Sequence, residues 1–309
     1  MIRGNAPRKP VLVVGSIGLD TIETPFGAVT DVLGGAASYA AISASFFTAV
    51  RMVGVVGDDF PARHLALFHD REIDVTGVQH QAGETFRWNG YYEYDLNQAH
   101  TLATHLNVFE QFRPTIPTTY RDTPYVFLAN IDPDLQLAVL DQIDKPKFVM
   151  ADTMNFWING KADRVLEVVK RVDAMTMNDA EARQLCRTSN LVVAGRQLLA
   201  MGPRVVIIKK GEHGALMFTK QDYFAAPSFP LEDVRDPTGA GDTFAGGVLG
   251  FLAFTDDISE DNIRKAVVYG TVLASYTVED FSLGRLQTLE PGEVMVRFAE
   301  MRRITAFTE

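Results

Sequence analysis

The chain carries one cysteine, Cys186, so no disulfide can close within it. Cysteine this scarce fits a reducing compartment. A lone cysteine near a helix end reads as a small buried hydrophobe. Basic clusters are also missing. The chain has 29 Lys and Arg against 39 Asp and Glu, a formal charge of -10. Nucleic-acid binding as a main role is disfavoured, because it depends on grouped cations. Long apolar runs are absent too. The start, MIRGNAPRKP, is polar and basic, and Val11 to Val14 is too short for a signal or a membrane segment. The expectation is a cytoplasmic protein with no membrane contact. No internal repeat, low-complexity tract or charged tail interrupts the sequence. A dinucleotide-binding G-x-G-x-x-G is also lacking after the first apolar run, where Gly15-Ser16-Ile17-Gly18 stands instead.

What remains is an ordinary globular composition, 47% hydrophobic and 22% charged. The 309 residues can bury most of their apolar surface without staples. Short apolar runs recur at Val11–Val14, Val53–Val56, Tyr125–Leu128, Phe148–Met150, Ala174–Met177 and Val205–Ile208. Helical patterns lie between or after them, at Lys161–Arg171, Ala180–Arg187, Ala240–Phe254 and Asp261–Val278. This alternation predicts a mainly parallel sheet with helices on both faces. The segment from Glu84 to His105 differs. Phe86, Trp88, Tyr91, Tyr92 and Tyr94 crowd around Asn89 and Gly90, which suits a small separate sheet.

The chemistry concentrates in Asp236-Pro237-Thr238-Gly239-Ala240-Gly241-Asp242. A glycine turn runs there into a helix start, whose free N–H groups and dipole form an anion site. Asp242 sits inside that anion site at a Coulombic cost. It reads either as a helix cap or as a base that takes a proton from an attacking hydroxyl.

The string DPTGAGDTFAGG resembles the second signature of the ribokinase-like (PfkB) carbohydrate kinases. The resemblance extends along nearly the whole chain. It implies a three-layer αβα fold over residues 1–309 as one kinase domain, with a β-lid built from about 20–34 and 85–105. It implies Asp242 as catalytic base, and the amides of Gly239, Ala240 and Gly241 as an anion hole. Asp20, Gly34 and Gly35 match substrate-binding positions. Asn178 and Glu181 match N-x-x-E, implying ATP and water-mediated Mg2+ binding, while the same pair suits a helix cap. Lys209, Lys210, Gly211 and Gly214 match the loop that covers the nucleotide. The lysines would either neutralise phosphate or remain solvated. Asp236 and Thr238 stand where relatives hold a monovalent cation, potassium being the expected ion.

One departure concerns the acceptor. The first signature often carries Asn five residues after the first glycine, and here that residue is Tyr39. It would either stack on a ring or point into the core. Asn130, Asp152 and Asn155 follow apolar strands, at the strand ends where open α/β sheets bind ligands. They are further substrate candidates. The expected activity is transfer of the ATP γ-phosphate to a hydroxyl of a sugar or sugar-like molecule. A nucleoside or inositol acceptor is the alternative. A non-catalytic sugar or nucleotide sensor is the reading from another class. The resemblance also implies a homodimer through the lid.

Overall fold

The computed structural model describes residues 8–307, so the first seven residues of the polar, basic start lie outside the described residues, as do 308 and 309. The main sheet contains, in chain order, β1 (Val11–Val14), β4 (Val50–Val56), β5 (Ile73–His80), β8 (Tyr125–Leu128), β9 (Phe148–Ala151), β10 (Ala174–Asn178), β11 (Val205–Lys209), β12 (Ala215–Phe218) and β13 (Tyr223–Ala226). A second sheet contains β2 (Gly18–Thr24), β3 (Gly27–Gly34), β6 (Phe86–Tyr92) and β7 (Ala99–His105). The spatial orders are β13-β12-β11-β10-β9-β8-β1-β4-β5 and β3-β2-β6-β7.

The seven strands from β11 to β5 in that order pair in parallel. Such strands need cover on both faces, which explains why they read as apolar runs rather than alternating ones. Val11 and Val13 of β1 point to one core, and Leu12 and Val14 to the other. The first core holds helices α1 (Ala36–Ser45), α7 (Ala240–Thr255) and α8 (Glu260–Thr277). The second holds α3 (Pro133–Leu140), α4 (Asn155–Arg171), α5 (Asp179–Cys186) and α6 (Leu191–Met201). The result is the expected three-layer αβα arrangement with a small second sheet.

Two features depart from the sequence reading. β12 and β13 run antiparallel at one edge, β12 against β11. Helix α4 starts six residues before Lys161, where the periodicity placed its beginning, and its backbone breaks at Lys161, with φ −142° and ψ 40°. The break follows Gly160. The Lys161 ammonium is held at 2.7 Å by Asp132 and at 2.6 Å by Asp134. Cys186 is buried at the end of α5, and burial pushes its thiol up to about 11, so it stays an unreactive thiol.

Candidate active site

Parallel strands end their C-termini on one edge, and the residues singled out above gather there. Gly239 caps α7 in the left-handed region, φ 74°. A Cβ at Gly239 would sit 2.3 Å from the Tyr39 ring, so only glycine lets the turn lie on that ring. The Ala240 N–H donates back to Pro237 O at 3.2 Å. Of the three amides expected to form an anion hole, that one is already used, which leaves Gly239 and Gly241.

Asp242 lies in the first turn of α7. Its side chain is half-buried. Burial and the nearby Asp152 carboxylate push its pKa up to about 7, against the pull of Lys209. Asp20, on β2, is buried against Gly34, where a Cβ would come within 1.9 Å of its carboxylate oxygen. Burial chiefly, with Asp236 and Asp242, raises Asp20 to about 7, although the Gly35 amide bonds it. Asp236 is fully buried and accepts N–H bonds from Thr238 at 2.9 Å and Ser282 at 3.1 Å. Its carboxylate ties the glycine turn to the loop after α8.

Lys209, at the end of β11, extends its ammonium to Asp152 at 2.5 Å. A Cβ on Gly241 would lie 3.1 Å from the same nitrogen. Burial alone would lower the Lys209 pKa, but the carboxylates of Asp152, Glu181 and Asp242 outweigh it and keep the ammonium charged. Asn178 and Glu181 form a reciprocal capping box at the start of α5, with bonds of 2.8 and 2.7 Å. Burial, then Asp152, raises Glu181 to about 8. Gly211 and Gly214 flank a 3-10 turn with φ of 54° and 80°.

Tyr39 is 1% exposed, and its hydroxyl has no hydrogen-bond partner. The neighbouring Ser282 hydroxyl donates instead to Leu33 O at 2.5 Å. Burial, followed by Asp20 and Asp236, raises the Tyr39 phenol. The ring therefore lies beneath the glycine turn, with its tip near the carboxylates of Asp20 and Asp236. Asn130 Oδ1 accepts the Trp157 indole N–H at 3.1 Å. Asn155 is exposed and donates to Gln184 on α5 at 3.0 Å, so its amide is turned to α5.

Asp152, a candidate by its place after an apolar strand, joins the site through Lys209. Two residues not named as site candidates join it as well, Ser282 and Tyr92, whose hydroxyl lies 3.3 Å from Thr238 Oγ1. Ser282 carried no signal in the sequence.

The raised carboxylates make stability depend on pH. Asp20 and Asp242 normally titrate near 3.8 and Glu181 near 4.5, so all are ionised in the unfolded chain above pH 6. The folded chain still holds protons there and loses them as the pH passes about 7 to 8. Stability must then fall with rising pH from about 4 upward and level off above about pH 8. We expect Tm to drop by about 5 °C from pH 6 to 8.5, with a shallower drop in Asp242→Asn. A flat or rising melting profile in differential scanning calorimetry would contradict these burials.

An αβα sheet with a carboxylate in a glycine turn at a helix start defines a small-molecule phosphotransferase of ribokinase-like fold. Residues 11–288 match the pfkB family of carbohydrate kinases, and the chain belongs to that family. It is 31% identical over 246 residues to a cytidine kinase of Thermococcus kodakarensis, covering 77% of this chain and 87% of that one. It is 25% identical over 282 residues to an inositol 3-kinase of Arabidopsis thaliana, covering 88% of this chain and 75% of that one. Its fold superposes with a TM-score of 0.78 on a Burkholderia thailandensis nucleoside kinase in complex with inosine. Identity there is 19%, over 94% of this chain and 96% of that one. The chain is a sugar or nucleoside kinase, and the family implies ATP and Mg2+. No helix of the described residues is long and apolar enough to cross a membrane.

Proposed function

We propose that this kinase moves the γ-phosphate of ATP to a primary hydroxyl of a nucleoside. The observation carrying the reading is the meeting of Asp242, the Gly239–Gly241 turn and Asp20 at one sheet edge. Asp20 accepts hydrogen bonds from the acceptor's hydroxyls and holds it over the turn. Asp242 takes the proton as the acceptor oxygen attacks in line. The amides of Gly239 and Gly241, with the Lys209 ammonium beside them, stabilise the charge that develops. Gly211 and Gly214 shape the nucleotide loop.

The donor set suits Mg2+, because Asn178, Glu181 and the nearby carboxylates offer only oxygen to a hard cation. Asn178 and Glu181 would hold it through water. When bound it neutralises phosphate charge in a pocket where carboxylates outnumber the single lysine. A potassium ion beside Asp236 and Thr238 would serve the same end. Among the described residues no group of three or more His, Cys, Asp or Glu forms a metal cage. The second sheet acts as the lid that excludes water.

The nucleoside reading is supported by the cytidine kinase relative and by the half-buried ring of Tyr92 beside the carboxylates of Asp20 and Asp236. We expect cytidine, adenosine or inosine to give kcat/KM at least about tenfold above ribose, fructose or myo-inositol. ADP release with MgATP, run in potassium and in sodium salts, measures this. Turnover confined to the free sugars or to inositol would overturn the nucleoside assignment.

A further inference from the structure

One contact joins the second sheet to the catalytic turn across 146 residues of sequence. The Thr238 hydroxyl donates to Tyr92 Oη at 3.3 Å. Tyr92 is the last residue of β6, and the hairpin beyond it leads to β7. That hairpin also reaches the nucleotide loop, where a Cβ at Gly211 would lie 3.6 Å from Asn97 Oδ1. One arm of the lid thus touches both the turn and the loop. The turn is gripped from two sides. Tyr39 supports Gly239 from the core helix α1, and Tyr92 meets Thr238 from the lid.

We propose that Tyr92 is a positioning residue, a latch through which closure of the lid sets the geometry of the Thr238–Gly241 turn. The inference rests on the kinase reading given above. The turn's own backbone is anchored through Asp236, which accepts the N–H groups of Thr238 and Ser282, and Ser282 bonds Leu33 O at the base of β3. The Thr238 side chain faces the lid directly, and the Tyr92 phenol is what it meets. Burial, together with the carboxylates of Asp236, Asp20 and Asp242, pushes that phenol up, so it stays neutral and able to share a hydrogen bond at any working pH. When the lid opens, the bond breaks and the turn loses its outer support. Transfer to the acceptor would then slow while water gains access, because the turn is supported and water excluded only under a closed lid.

The latch makes two segments far apart in sequence respond to one another. Tyr92→Phe removes only the hydroxyl, and Thr238→Val removes only its partner. In hydrogen-exchange mass spectrometry, each variant should speed exchange in both segments, 86–105 and 236–241, by about fivefold, the size of one net hydrogen bond. The double variant should be no faster than either single one, since both remove the same bond. With MgATP and cytidine, Tyr92→Phe should raise the ATP hydrolysed per cytidine phosphorylated by about tenfold. A purely structural tyrosine would leave that ratio unchanged.

Should each variant loosen only its own segment, or should their effects add, the latch is wrong. An unchanged hydrolysis ratio in an enzyme that does phosphorylate cytidine would also overturn it. If cytidine is not an acceptor, the exchange experiment still decides the latch, while the substrate panel alone decides the nucleoside reading.

Discussion

Asp242→Asn should lower kcat by about 1,000-fold or more while the affinity for ATP stays within about threefold. The magnitude is that of a positioned general base removed from its reaction. Asparagine keeps the shape and the helix start but cannot accept the acceptor's proton. The Asp242 pKa, raised to about 7, would suit the proposed base at neutral pH. In the wild type, activity should fall on the acid side as that carboxylate gains a proton. The same change should stabilise the protein at pH 8. Asp242 ionises there against burial and the Asp152 carboxylate, and a neutral amide escapes both. Steady-state kinetics, isothermal titration with ATP and melting curves would check the three effects on one preparation. Near-normal turnover in Asp242→Asn would end the assignment of the base.

Lys209→Met should lower kcat by about 100- to 1,000-fold, the usual range for a lost charge-stabilising donor. Its ammonium packs against Gly241 in the turn proposed as the anion hole. The variant should also be unstable. Asp152 is 3% exposed and would be left as a buried carboxylate without its partner. Breaking such a pair typically costs about 3–5 kcal/mol. The double variant Lys209→Met with Asp152→Asn removes both charges, so it should regain most of the lost stability and none of the lost activity. This separates the two roles of the lysine. Recovery of turnover in the double variant would show that Lys209 acts only by neutralising Asp152.

The two experiments probe one physical arrangement. Asp20, Asp152, Glu181, Asp236 and Asp242 all have raised pKa values, and Lys209 is the cation acting on Asp152, Glu181 and Asp242. A fold selected for stability alone would not gather these acids. Their repulsion is relieved by cations and by protons, which gives the pocket a reason to bind metal together with nucleotide.

Local pattern carried much of this protein. Val11–Val14, Tyr125–Leu128 and Val205–Ile208 are apolar because parallel strands are covered on both faces, so their runs announced the sheet. Asp242 and the glycines before it were legible because a glycine turn and a helix start are neighbours in sequence, as were Asn178 and Glu181 within one capping box. Short-range geometry can be read from spacing. Long-range meetings cannot. Whether Tyr39 stacks on a ligand or enters the core depended on where Gly239 lies, two hundred residues away. Lys209 was open between solvent and phosphate until β9 brought Asp152 beside it, and Tyr92 was one aromatic among several until the hairpin set it on Thr238. Such contacts depend on how strands are ordered and how far a side chain reaches, and the tertiary structure alone decides both.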